Sequence, residues 1–203
     1  MRVIAGRLGG RRLQAPAGRT TRPTSDRVRE AVFAMLDDVE GARVLDLFAG
    51  TGALGIEALS RGAQHAVFVE RDTDALRALR ANIAALGIDA QTAQVRRADA
   101  LQALHTASAA QETYDLVFID PPYTRSRQAE RQAHAAGAAA QADDRWQQAL
   151  PMILPSLLSP GARVVVESDR RAPLELPRSG DGELAPQRHK RYGDTSITIH
   201  RYR

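Results

Sequence analysis

Leu116 to Ile119 form a short run of apolar, β-branched and aromatic residues that stops at Asp120-Pro121-Pro122. Prolines cannot donate to a sheet ladder, so the run predicts a buried strand ending in a rigid loop. In open α/β sheets, ligands bind at that carboxyl end of the strands. Asp120 supplies a side-chain acceptor, Pro121 has only a free carbonyl, and Tyr123 offers a flat face. Together they could hold an amine on a planar ring. An ordinary Pro-Pro turn would explain the prolines alone, and the upstream sequence decides between the two.

Upstream, Arg43 to Leu47 predicts a first central strand running into Asp46-Leu-Phe-Ala-Gly-Thr-Gly-Ala-Leu-Gly55. Glycines at 50, 52 and 55 let the backbone turn closely under a ligand at the start of a helix from Ala53 to Arg61. The spacing fits the dinucleotide fingerprint, and Glu70 lies where an acidic residue would meet a ribose. A nucleoside-bearing cofactor follows from this pattern, without its identity.

The rest of the chain alternates strand and helix. Ala66 to Val69, Gln91 to Arg96 and Ala162 to Ser168 read as strands, and Asp72 to Leu86 as a helix with Leu76, Leu79, Ile83 and Leu86 on one face. Asp99 reads as a cap for a helix from Ala100 to His105. Trp146 to Leu158 predicts a helix kinked or split by Pro151 and Pro155. Arg170 to Pro186 reads as a loop, and Arg188 to Tyr192 with Ser196 to Tyr202 as a hairpin turning at Gly193-Asp194. The expectation is one 203-residue α/β domain whose mainly parallel sheet is covered on both faces. Residues 124–145 are polar and alanine-rich without an apolar face, and read as a flexible loop.

Charge is unevenly placed. Residues 1–30 hold eight arginines against Asp26 and Glu30, an excess larger than the +4 of the whole chain. A basic arm, residues 1–21, is expected to form a small hairpin that binds a polyanion. Arg22 then leads into a helix with Thr24 or Ser25 as cap and Arg27 and Glu30 spaced to pair. There is no cysteine, which excludes disulfides, thiolate metal sites and cysteine nucleophiles. The five histidines make no ligand spacing, so no metal is expected. No signal-peptide core and no membrane-length apolar run is present, and a cytoplasmic protein with no membrane contact is expected.

The order Asp46-x-x-x-Gly-x-Gly, Glu70, Asp99 and Asp120-Pro-Pro-Tyr resembles class I S-adenosylmethionine-dependent methyltransferases, specifically amino-group methylases with an Asp/Asn-Pro-Pro-Tyr/Phe motif. Arg2-Val-Ile-Ala-Gly, the run from Arg22 to Glu30, the loop from Asp46 to Arg61 and Lys190-Arg-Tyr-Gly-Asp-Thr are similar to the bacterial 16S rRNA guanine-N2 methyltransferase family. The likeness covers nearly the whole chain, residues 124–145 being longer than the family pattern. It implies a Rossmann-like sheet of seven strands with an antiparallel C-terminal hairpin strand. It also implies an S-adenosylmethionine site of Asp46, Phe48, Gly50, Gly52, Glu70, Arg71, Asp99 and Ala100. Asp46 would help hold the methionine end, Glu70 the ribose hydroxyls and Asp99 the adenine amine.

In the same reading Asp120, Pro121, Pro122 and Tyr123 form the catalytic loop, aiming a guanine amine while Tyr123 stacks on the base. Arg2, Arg7, Arg11, Arg12, Arg22 and Arg27 would contact 16S rRNA, within a partly assembled small ribosomal subunit and as a monomer. A DNA or RNA adenine-N6 methylase shares this chemistry. A nicotinamide-dependent dehydrogenase leaves Asp120-Pro-Pro-Tyr and the arm unexplained, and a non-catalytic RNA-binding protein leaves the site unexplained.

Overall fold

Seven strands pair in the order β3-β2-β1-β4-β5-β7-β6. The structure, a computed structural model, describes residues 1–15, 26–121, 145–171, 174, 176 and 184–203. The strands are β1 Arg43–Asp46, β2 His65–Glu70, β3 Ala93–Arg97, β4 Tyr114–Ile119, β5 Leu158–Asp169, β6 Leu184–Tyr192 and β7 Thr195–Tyr202. The first five run parallel, and β7 lies antiparallel between β5 and β6. Both faces are covered, as the uninterrupted apolar runs require.

On one face Val44, Phe68, Phe118, Val165 and Ile197 pack under α1 (Asp26–Met35), α2 (Ala53–Ser60) and α3 (Thr73–Ala85). On the other, Leu45, Val67, Val117 and Val164 pack under α4 (Ala100–Ala109), α5 (Arg145–Ile153) and a 3-10 turn, Leu154–Leu157. The expected helix from Trp146 is thus split at Leu154, where Pro155 sits in the first turn of the 3-10 segment. No described helix is long and apolar enough to cross a membrane.

Several boundaries differ from the sequence reading. Strand β5 begins at Leu158, ahead of Ala162, because Leu158 pairs with Tyr114 before a register shift at Ser159-Pro160-Gly161. Strand β6 begins at Leu184, inside the expected loop. Pro186 is accommodated on this edge strand beside a bulge between Pro186 and Arg188. The Gly193-Asp194 turn is as expected, with Gly193 at φ 61. Thr24, Ser25 and residues 124–144 lie outside the described residues, and Arg145 is the first residue of α5.

The N-terminal hairpin is small, with a single bridge between Arg2 and Arg12, yet firmly held. Val3, Leu8 and Leu13 are buried in the core. The Ile4 and Ala5 amides donate to the two oxygens of Glu57, a fully buried residue of α2, at 2.7 and 3.0 Å. Gly6 lies so close to α2 that a Cβ would sit 1.9 Å from the Ser60 carbonyl oxygen, and its φ of 79 already favours glycine. Arg27 and Glu30 form no ion pair. Asp26 instead meets Arg29 at 2.9 Å and Arg2 at 3.6 Å, which fastens the arm to α1. Arg29 is fully buried and also donates to the Arg2 carbonyl. It is a fastening of the arm and contributes nothing to its surface charge.

Candidate active site

Strand order reverses between β1 and β4, and a crevice opens at such a switch point at the carboxyl ends of the strands. Asp46 ends β1 and Asp120 follows β4, so the two residues flank the reversal. Glu70 ends β2, and Asp99 stands two residues beyond β3.

The loop after β1 is held rigidly around this crevice. The Leu47 amide donates to the Phe118 carbonyl at 3.0 Å, and the Ala49 amide to the Val69 carbonyl at 2.9 Å. The Gly50 amide donates to Glu70 Oε2 at 2.8 Å, while Glu70 Oε1 accepts from the Arg71 and Asp72 amides at 2.7 Å each. The glycines have different reasons to be glycine. Gly50 has φ 54, and nothing lies within 4 Å of where its Cβ would be. Gly52 has φ 82, and a Cβ there would be 2.4 Å from Leu79 Cδ1. A Cβ on Gly55 would be 2.3 Å from the Phe68 ring. Gly50 therefore opens on free space, whereas Gly52 and Gly55 press α2 against the core.

Asp46 is almost fully buried, and its Oδ2 accepts from the Gly55 amide at 3.0 Å. Its pKa is raised to about 7, chiefly by burial; the Gly55 hydrogen bond opposes this, and the nearby Asp120 and Glu70 charges add to it. Asp46 thus feels the charges of two neighbouring carboxylates at the switch point. A cation placed there would relieve them.

The other sequence-predicted residues are placed as follows. Asp99 caps α4, its Oδ1 accepting from the Gln102 amide at 3.0 Å, and Ala100 is buried behind it. Phe48 packs edge-on against Trp146 with ring centroids 4.8 Å apart. Arg71 is exposed, Pro121 buried and Asp120 half-buried. Arg2, Arg7, Arg11, Arg12 and Arg27 are exposed, though the Arg11 guanidinium donates to the Ala85 carbonyl at 2.9 Å. Arg22, Pro122 and Tyr123 lie outside the described residues.

Asn82 was missed. Buried on α3, it donates to the Thr51 carbonyl at 3.0 Å and to the Gln14 carbonyl at 3.1 Å, and accepts from the Gln14 amide at 2.7 Å. It joins the N-terminal arm to the glycine loop. The available signal was an amide side chain on the face shared by Ala75, Ala78 and Leu79.

Strand order, glycine loop and acidic strand ends together define a class I methyltransferase, the class that takes its methyl group from S-adenosylmethionine. The chain belongs to the family described as conserved hypothetical protein 95, whose model matches residues 1–138. It is 39% identical to YlbH of Bacillus subtilis (strain 168) over 204 residues, the full length of both chains. It is 41% identical over 126 residues to the ribosomal RNA small subunit methyltransferase D of Escherichia coli (strain K12), an alignment covering 62% of this chain and 61% of that one. The solved structure of yhhF from Escherichia coli matches with a TM-score of 0.74 at 28% identity, covering 100% of this chain and 97% of that one.

Proposed function

We propose that the protein transfers the methyl group of S-adenosylmethionine to the exocyclic N2 amine of a guanine in 16S rRNA of the small ribosomal subunit. The observation that carries this reading is that Asp120-Pro121 follows β4 at the switch point, next to β1 and the loop whose backbone is open at Gly50. The rRNA methyltransferase names of its relatives support the choice of RNA.

The residues present fit the cofactor. Gly50 leaves room for close approach, and the carboxylates of Asp46, Glu70 and Asp120 favour a cation. Asp46 would face the methionine end, Glu70 the ribose hydroxyls, Asp99 and Ala100 the adenine, with Phe48 and Arg71 flanking. Bound there, S-adenosylmethionine supplies an electrophilic methyl on a sulfonium. The Asp120 carboxylate and the Pro121 carbonyl accept hydrogen bonds from the guanine amine and aim its lone pair. Tyr123, two residues further on in the motif, would stack on the base, worth roughly 1–3 kcal/mol toward extruding it, with Pro122 assigned to the same motif. The amine so aimed would take the methyl as its bond to sulfur broke, leaving a neutral thioether, and the surplus proton on nitrogen would pass to solvent. Orientation is the protein's main contribution, since alignment can lower a barrier by about 7–11 kcal/mol.

The test is transfer of labelled methyl from S-adenosylmethionine to small-subunit RNA and particles, with digestion and mass spectrometry of the product. N2-methylguanosine at one position is expected. N6-methyladenosine, or no transfer to either substrate, overturns the reading.

A further inference from the structure

The Lys190-Arg-Tyr-Gly-Asp-Thr motif lies outside the crevice, on the hairpin of β6 and β7. Register places Lys190 opposite Ile197 and Arg191 opposite Ser196, which pair in turn with Glu167 and Ser168 near the carboxyl end of β5. Arg170 and Arg171 follow β5 directly, and the Arg170 amide donates to the Asp194 carbonyl in the hairpin turn at 2.8 Å. Register therefore brings four cationic residues to the site end of the sheet, Lys190 and Arg191 on opposite faces of β6 at its edge, with Asp169 and Asp194 among them. All four are exposed, and no side chain of the four makes a hydrogen bond or ion pair with a described residue. Other arginines are used internally. Arg96 is bound to Glu112, Arg163 donates to the Asp38 carbonyl, and Arg188 donates to the Met35 carbonyl and meets Asp37.

We propose that Arg170, Arg171, Lys190 and Arg191 form a second phosphate-contact surface that grips the rRNA strand beside the target guanine. This rests on the RNA substrate proposed above. The N-terminal arm is bonded to α2 and α3, over the β1–β3 half of the sheet. The new surface lies on the other half, from Arg170 and Arg171 one strand beyond β4 to Lys190 and Arg191 three strands beyond it, or about 5 to 14 Å at ~4.8 Å per strand. A base presented at Asp120 thus has cations on both flanks. Charged residues on an edge strand also discourage edge-to-edge pairing. That need would be met by cations anywhere along β6, and it gives no reason for Arg170 and Arg171, which lie off the edge after β5.

The experiment compares wild-type protein with a variant carrying Arg170→Ala, Arg171→Ala, Lys190→Ala and Arg191→Ala. The control is Arg201→Ala, five residues along β7 from Ser196 and so about 17 Å from the patch, beyond the ~8 Å screening length. Binding of a 16S rRNA transcript is measured across salt, together with methyl transfer to naked RNA and to particles, and binding of S-adenosylhomocysteine. The fourfold variant should lose about 0.7–0.9 in the slope of log K against log salt for each phosphate contact removed. Its KM for naked RNA should rise at least tenfold, with kcat at saturating RNA and product affinity unchanged. The control should match wild type. An unchanged slope and KM in the fourfold variant overturns the surface while leaving the methylation reading intact. A defect confined to particles overturns it in favour of a docked ribosomal protein, and a parallel loss in the control reduces it to general charge. If wild type transfers no methyl but the variant still loses its salt slope, the surface stands and the proposed reaction falls.

Discussion

The two ends of the sheet treat charge in opposite ways. At the amino end of β4, Arg96 binds Glu112 through two hydrogen bonds of 2.8 and 2.7 Å, and the Tyr114 hydroxyl donates to the same carboxylate. The arginine hydrogen bonds hold Glu112 below the usual carboxylate range, and burial pushes the Tyr114 phenol up. At the carboxyl end of the same strand stands Asp120, beside Asp46, whose pKa burial raises to about 7 with smaller contributions from the Asp120 and Glu70 charges. One end pairs its charges and is built for stability. The other gathers carboxylates around a buried one at a cost in stability, the kind of local conflict that marks functional sites.

Three substitutions test that contrast. The largest effect belongs to Asp120→Ala, which removes the acceptor aimed at the amine. Its kcat should fall on the order of 10²–10³-fold, the usual cost of losing one preorganised transition-state contact, while product affinity stays within a few-fold. Near-normal turnover in a folded variant would dissolve the distinction between the two ends.

At the paired end, Glu112→Ala should cost about 1–3 kcal/mol in denaturant unfolding, because Arg96 and Tyr114 lose their shared partner, and should leave kcat unchanged. The sign with pH follows from the lowered pKa of Glu112. Its contribution is present above the unfolded carboxylate pKa and is lost as pH falls through the folded one. The gap between wild type and variant should therefore close in acid. A gap that widens there removes Glu112 as the cause.

The smallest effect, and the most diagnostic in sign, is Asp46→Asn. Asp46 has a folded pKa of about 7 against an ordinary 3.8, so its contribution to stability falls as pH rises from about 4 through 7. The amide avoids that cost. The variant should melt roughly 2–4 °C above wild type at pH 8, with the advantage shrinking toward pH 4. Affinity for S-adenosylmethionine should move the other way: it should rise with pH in wild type and stay low and flat in the variant. A variant less stable than wild type at pH 8 would mean that the site end carries no such strain.

Much of the sheet was legible in the sequence because the apolar runs at 43–47, 66–69, 116–119 and 162–168 could be buried only as strands. The carboxylates were legible because they end those strands. What sequence did not disclose was long-range. Nothing near Gly52 says that its hydrogen faces Leu79, and nothing near Glu57 says that its carboxylate awaits the Ile4 and Ala5 amides. A charged residue in the apolar stretch Ala53–Ser60 was a hint that it had a partner elsewhere. The arm read as a small basic hairpin with no sign of what it docks on for the same reason, since its fastenings lie in α1, α2 and α3. The first strand of the terminal hairpin was shortened by Pro186, which an edge strand tolerates and a central one does not.

The hydrogen bonds that dock the arm span 52, 53 and 68 residues of chain. During synthesis the arm has no partners until Glu57, Ser60 and Asn82 have emerged and α2 and α3 have packed. Closing loops of that length before any contact repays them is slow, so the arm settles late and its contacts form after the main folding barrier. Weakening those contacts, as by Glu57→Gln, should then quicken unfolding and leave the folding rate nearly unchanged. The arm is thus made before everything that holds it, and its fastening waits on residues 52 to 68 positions further along the chain.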